Sequence, residues 1–322
     1  MLLYDKIELR KDKIRKVDKK LMAKKIILDT DIGVDIDDSL CLTYLLADPA
    51  IEVMGITTVS GESEKRSRMA DIICRHMGYC DTPIYPGCET SLTGVPQSNA
   101  EQAVQLERWK HRCDFEQGKA FRFMINTIRA NPGEITLIAI GPLTNIAVLF
   151  NLDPEIPDLL AELVIMGGWF LEPYTNASQP EWNIKCDPLA AQIVFQRGKR
   201  VRCVGLDVTL PLTLNQQKAV DCLEAYHAFQ PAREFARVWF AKVHRMTFHD
   251  PLAAVVVTDS SCCRFSPGEV EVELSPGPKF GWTYWKPTDN GNVQIGTEVS
   301  AETFFQAFFL VIRQADISLR KK

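Results

Sequence analysis

Short apolar runs that alternate with helical stripes constrain this chain more than any other feature. Lys25–Leu28 ends in acids and is followed by a helical stretch, Ser39–Ala47. Ile51–Val59 has the length and β-branching of a buried strand, and Glu64–Met77 then carries a stripe of Met69, Ile72, Ile73 and Met77. Glu134–Ile140 is broken by Gly141-Pro142 before a helix at Leu143–Phe150, and Leu163–Met166 is stopped by Gly167-Gly168. Asp187–Gln196 reads as a helix with an acidic start, and Val201–Leu206 as the next strand. Strand, helix, strand at this spacing predicts an α/β fold, a mainly parallel open sheet with helices on both faces. The last part changes character. Arg233–Arg245 and Asp250–Thr258 read as helices, Val270–Leu274 as an exposed strand, and Phe304–Ile312 as a closing apolar helix. Trp282–Trp285 and Val293–Val299 suggest a small antiparallel pair appended near the C-terminus. Without repeats or a Pro/Gly/Ser linker, residues 22–322 are expected to form one domain after a basic extension, 1–21.

Composition narrows the function classes. An apolar share of 46% supports a large core, and a net charge of −4 gives no reason to expect nucleic acid or an anionic membrane as partner. Residues 1–21 hold eight Lys/Arg with only a partial apolar stripe, Ile7, Ile14, Val17 and Leu21. That pattern lacks the apolar centre of a signal peptide and reads as a solvated extension. The ten cysteines are scattered and form no CxxC pair, which suits free thiols in a reducing cytoplasm.

The chemistry concentrates at Asp29-Thr30-Asp31-Ile32-Gly33-Val34-Asp35-Ile36-Asp37-Asp38. Five carboxylates fall within ten residues, directly after an apolar run and before a helix. Ligands of open α/β sheets bind outside the carboxyl ends of strands. Carboxylates this crowded raise one another's pKa unless something neutralises them, and a hard divalent cation such as Ca²⁺ does so with oxygen ligands. The competing reading is a solvated acidic loop in which Asp37 or Asp38 favours the next helix's N-terminus. An EF-hand fits poorly, because the glycine stands fifth rather than sixth in the loop and no helix precedes it.

The segment resembles the N-terminal signature of the nucleoside hydrolase family. Ile56-Thr57-Thr58-Val59-Ser60-Gly61 is similar to that family's second strand, and Gly141-Pro142-Leu143-Thr144-Asn145 to its central turn. Met166-Gly167-Gly168, Glu181-Trp182-Asn183 with Asp187-Pro188, and His249-Asp250-Pro251 follow in the family's order. The resemblance implies Ca²⁺-dependent hydrolysis of the N-glycosidic bond of ribonucleosides by a homodimer or homotetramer. It implies a Ca²⁺ held by Asp31, Asp38, Asp250 and the Ile140 carbonyl, with Asp29 and Asp35 supporting the ligands. Asp31 would also act as general base toward water. Asp37 and Asn183 would bind ribose hydroxyls, and Glu181 with Asn176 the sugar's 5′ side. Met166 would pack near the sugar, Trp182 is the tryptophan best placed to stack on a base, and His249 would face the base and protonate it. This set suits the reaction, whose oxocarbenium-like transition state needs a positioned water, nearby negative charge and a proton for the leaving base.

Two departures stand out. Asp35-Ile36 separates the acid pair from the glycine, so Asp35 could replace Asp37 or Asp38. Glu62 stands where better-known members have Asn, and its carboxylate could accept from a ribose hydroxyl. Two other functions compete. A haloacid dehalogenase-type phosphatase also ends an apolar strand in Asp-x-Asp, but it needs Thr or Val where Gly33 stands. A non-catalytic nucleoside- or Ca²⁺-binding relative would keep the site without turnover.

Overall fold

Consecutive side chains of the central strands enter two different cores, because a strand points its residues alternately to opposite faces. The computed structural model describes residues 23–171 and 179–320, so the extension 1–21 and Asn176 lie outside the described residues. Its strands are β1 (Lys24–Thr30), β2 (Ile51–Thr58), β3 (Ile84–Pro86), β4 (Ile135–Ala139), β5 (Glu162–Met166), β6 (Val201–Val204), β7 (Thr213–Asn215), β8 (Arg245–Thr247), β9 (Cys263–Val272), β10 (Thr283–Pro287) and β11 (Val293–Val299). Ile26 and Leu28 of β1 lie in one core and Ile27 in the other. β4 repeats this with Ile138 against Leu137, and β5 with Val164 against Leu163. Both faces are therefore covered by helices, as a parallel sheet requires.

Nine strands form one sheet in the order β10-β9-β11-β6-β5-β4-β1-β2-β3. The pairs β3-β2, β2-β1, β1-β4, β4-β5, β5-β6 and β6-β11 are parallel, and β9 is antiparallel to both its neighbours. The α/β class read from the sequence is the observed one. From β1 the chain continues to β2 on one side, while β4 lies on the other. The strand order reverses there, at the ends of β1 and β4, which is where open sheets of this kind bind their ligands.

The C-terminal strands differ from the expectation. Trp282–Trp285 and Val293–Val299 do not pair with each other, because β9 runs between β10 and β11. The alternation was legible only at Val270–Leu274, yet β9 begins at Cys263. Pro267-Gly268 masks its first half. The proline is tolerated because the β10 ladder ends at the next residue, where Pro287 faces Gly268. The helix expected at Arg233–Arg245 is Gln230–Phe240, and Arg245 belongs to β8, which pairs with β7. Strands of three residues leave no periodicity to read. Among the described residues no helix is long and apolar enough to cross a membrane. All ten cysteines are free thiols, and only Cys80 and Cys113 are exposed.

Candidate active site

The acidic segment leaves β1 at Thr30 and enters the helix Asp37–Ala47. Asp37 and Asp38 occupy that helix's first turn, and Asp250 the first turn of the helix His249–Thr258. A helix N-terminus carries partial positive charge and unsatisfied N–H groups, so both ends favour carboxylates. Their side-chain oxygens come within 4.8 Å of one another, and all three residues are buried. Thr30 donates its hydroxyl to Asp38 at 2.5 Å and thereby ties the strand end to the helix start.

Asp31 stands beside the end of β4. A Cβ on Gly141 would lie 2.9 Å from both the backbone nitrogen and Oδ1 of Asp31, so only glycine lets the two segments approach this closely. The neighbouring Ile140 carbonyl accepts from Asn183 Nδ2 at 2.9 Å, and the same amide reaches the Met166 carbonyl at 3.2 Å. Asn183 therefore bridges the ends of β4 and β5. Glu181 caps the short helix Trp182–Cys186, accepting from Asn183 and Ile184, and also from the Gly168 amide. Trp182 is half exposed, with Lys185 Nζ 5.9 Å from its ring centre.

Asp29 lies beneath this layer. Its Oδ1 accepts from Thr57 at 2.5 Å and Asn145 at 2.7 Å, which fixes the carboxylate against β2 and the central turn. Its Oδ2 is buried without a partner. A buried carboxylate oxygen with no donor is costly to ionise, and burial pushes the Asp29 pKa up to about 7. Burial, then hydrogen bonding and the charges of Asp38 and Asp31, leave Asp35 at about 7 as well. Asp37, Asp38 and Asp250 stand well above the usual carboxylate range, first through burial and then through repulsion from neighbouring acids, Asp31 and Asp35 among them. Asp31 is raised by burial, opposed by the Arg66 charge. Oxygen donors of this density and burial fit a hard cation, which removes the penalty on their charged forms.

The geometry groups the expected residues somewhat differently from the sequence. Asp38 and Asp250 come together, and the carboxylate within 4.8 Å of both is Asp37, expected as a ribose ligand. Glu62 accepts the Ala100 amide at 2.9 Å and pairs with Lys65 at 2.5 Å, so both its oxygens are engaged in the surrounding loop. His249 Nδ1 lies 2.7 Å from the Thr209 hydroxyl. Burial, then the Arg245 charge, lowers its pKa to about 4. It is therefore neutral at pH 7. Sequence reasoning missed Arg66 and Gln102, and it named Thr57 and Asn145 only as motif residues without their bonds to Asp29; all four hold the acidic segment in place. Arg66 reads as one of several surface cations in Ser63-Glu64-Lys65-Arg66-Ser67-Arg68.

A sequence model of the family described as "Inosine-uridine preferring nucleoside hydrolase" matches residues 26–306. This chain belongs to that family. Inosine-uridine preferring nucleoside hydrolase from Crithidia fasciculata is 30% identical over 312 residues, covering 91% of this chain and 98% of that one. Uridine nucleosidase 1 of Arabidopsis thaliana is 30% identical over 267 residues, 78% of each chain. Among solved structures, the purine-preferring ribonucleoside hydrolase from Gardnerella vaginalis superposes with a TM-score of 0.77 at 27% identity, covering 91% of this chain and all of that one. The chain is thus an enzyme of the N-ribosyl hydrolase class, and its acidic cluster lies at the sheet's switch point.

Proposed function

We propose that this nucleoside hydrolase cleaves the N-glycosidic bond of ribonucleosides to free base and ribose, and that it does so with Ca²⁺. The observation that carries the reading is the buried trio Asp37, Asp38 and Asp250, whose carboxylate oxygens lie within 4.8 Å of one another. Carboxylates in that setting need a cation to stay ionised. Asp31, Asp38, Asp250 and the Ile140 carbonyl hold the ion in this reading, with Asp29 and Asp35 supporting them. Ca²⁺, when bound, supplies charge neutralisation and orients water and the ribose diol together.

The chain's own residues do the rest. Asp31 accepts the proton of the attacking water, and the surrounding carboxylates stabilise the positive charge that develops on the sugar. Asp37 and Asn183 bind ribose hydroxyls, with Asn183 oriented by its two carbonyl partners. Glu181 and Asn176 serve the 5′ side, Met166 packs against the sugar, and Trp182 and Glu62 line the approach. His249 meets the departing base as a neutral ring fixed by Thr209, so it delivers a hydrogen bond rather than a stored charge. The names of the relatives span uridine, inosine-uridine and purine preferences. We assign this chain a ribonucleoside without choosing the base. The scattered cysteines support a cytoplasmic setting, and homo-oligomerisation can be read directly by sedimentation.

Free ribose measured over a panel of purine and pyrimidine ribonucleosides, with Ca²⁺ and after chelation, tests the proposal. Ribose release that depends on Ca²⁺ is expected, with no phosphate release from p-nitrophenyl phosphate. Phosphate release would instead favour the phosphatase reading. Binding of nucleoside without ribose release would favour a relative that has lost turnover.

A further inference from the structure

The backbone carbonyls of residues 31 to 35 in the acidic loop all accept hydrogen bonds, and every donor belongs to Arg66 or Gln102. Arg66, fully buried in the helix Ser63–Met77, donates Nη1 to the Asp31 carbonyl and to the Ile32 carbonyl at 3.1 Å. Gln102, also fully buried, donates its backbone N–H to the Gly33 carbonyl at 2.9 Å. Its Nε2 reaches the carbonyls of Val34 at 2.8 Å and Asp35 at 3.0 Å. Five successive carbonyls, 31 to 35, are thus turned toward Arg66 and Gln102. A loop whose carbonyls all face one way presents its side chains elsewhere.

Arg66 is anchored in turn. Its Nε donates to the Gly61 carbonyl at 2.8 Å, and its Nη2 to the Ser98 carbonyl at 2.8 Å and hydroxyl at 3.2 Å. None of these acceptors is a carboxylate. A buried guanidinium on neutral oxygens alone is expensive unless opposite charge lies near, and here Asp31 and Asp38 supply it through space. The planar fork reaches three chain segments at once, which a lysine ammonium on its single point cannot do.

We propose that Arg66 and Gln102 are positioning residues, a clamp on the loop carbonyls that keeps the acidic side chains aimed at the cation. The proposal rests on the cation reading above. Its closest physical analogue is the outer-shell partner that orients a ligand, whose loss typically weakens metal binding ~10–100-fold. A clamp that acts on the ion rather than on substrate leaves KM for the nucleoside nearly unchanged once Ca²⁺ is saturating.

The test is calorimetric titration of Ca²⁺ alone into wild-type protein, Arg66→Lys and Gln102→Leu, each checked for folding by circular dichroism, with KM measured at saturating Ca²⁺. Arg66→Lys keeps the charge, and Gln102→Leu changes none, so neither shift is confounded by a change in field. Weakening of Ca²⁺ by about tenfold or more in both variants, with KM near the wild-type value, is the expected result. Gln102→Leu carries the test if Arg66→Lys fails to fold. Folded variants that bind Ca²⁺ as tightly as wild type overturn the clamp alone. A wild-type protein that takes up no Ca²⁺ overturns the cation site and the clamp together.

Discussion

Asp250 donates its backbone N–H to Oδ2 of Asp37 at 3.2 Å, joining the first turns of two helices that start 212 positions apart (249 − 37). The bond brings two helix N-termini to one point, and each contributes partial positive charge to the same carboxylates. That offsets part of the repulsion in the trio. Burial and the remaining repulsion still leave Asp37, Asp38 and Asp250 far easier to protonate than free carboxylates.

Asp250→Asn follows from this relationship. The substitution removes a charge that burial and the neighbouring acids disfavour, so the metal-free protein should melt no lower than wild type. With Ca²⁺ present, ribose release should fall ~10²-fold or more, because a ligand charge is lost. Melting in chelator and a ribose assay in Ca²⁺ check the two halves. Wild-type turnover by Asp250→Asn would remove this residue from the site.

Asp31→Asn should separate folding from chemistry. The Gly141 contact and the Arg66 clamp on the Asp31 carbonyl do not depend on the carboxylate charge. The variant should therefore fold and still bind ribose. Hydrolysis should drop by ~10²-fold or more with the loss of a general base. An unchanged kcat would assign the base elsewhere.

Stability without metal should depend on pH in a defined direction. Asp29 and Asp35 have folded-state pKa values of about 7 against an ordinary value of 3.8. The folded state then binds more protons than the unfolded one, so stability is lost as pH rises through this window. His249, lowered to about 4 from 6.5, gives the opposite slope, but only below about pH 6.5. Between pH 6.5 and 8 the acids act alone, and Tm in chelator should decline. Saturating Ca²⁺ should flatten that decline by binding the ionised form. A Tm in chelator that rises across this interval would contradict the assignment.

His249→Ala tests the leaving group. A partner to the base matters most when the base departs poorly. Natural nucleosides should slow far more than p-nitrophenyl riboside, whose leaving group needs no proton. Thr209→Val should show the same pattern in weaker form, since Thr209 only orients the ring. Equal slowing of both substrates would make His249 structural.

The strand-helix alternation over Lys24–Met77 and Ile135–Val204 was legible because each of those buried strands is an apolar run closed by glycine, proline or acid, whereas the three-residue β3 and the helix Ala120–Ala130 between them went unread. The site's carboxylates were legible for the same reason, since Asp29, Asp31, Asp37 and Asp38 follow an apolar strand in unusual density. What lay hidden is whatever depends on distant contacts. Arg66 looks solvated in a helix rich in Lys and Arg, and only the fold places it under Asp31. Gln102 sits in a segment with no periodicity of its own. The lowered pKa of His249 comes from burial and from Arg245, four residues away in sequence but on β8. β9 was half read because Pro267-Gly268 looks like a turn until its neighbours are known.

The most direct test of the central claim is a crystal structure of the protein grown with Ca²⁺ and ribose. The account predicts one ion with oxygen ligands at roughly 2.3–2.6 Å from Asp31, Asp38, Asp250 and the Ile140 carbonyl, and ribose hydroxyls on Asp37 and Asn183. Full Ca²⁺ loading with Asp250 and Asp38 both left unligated would contradict it.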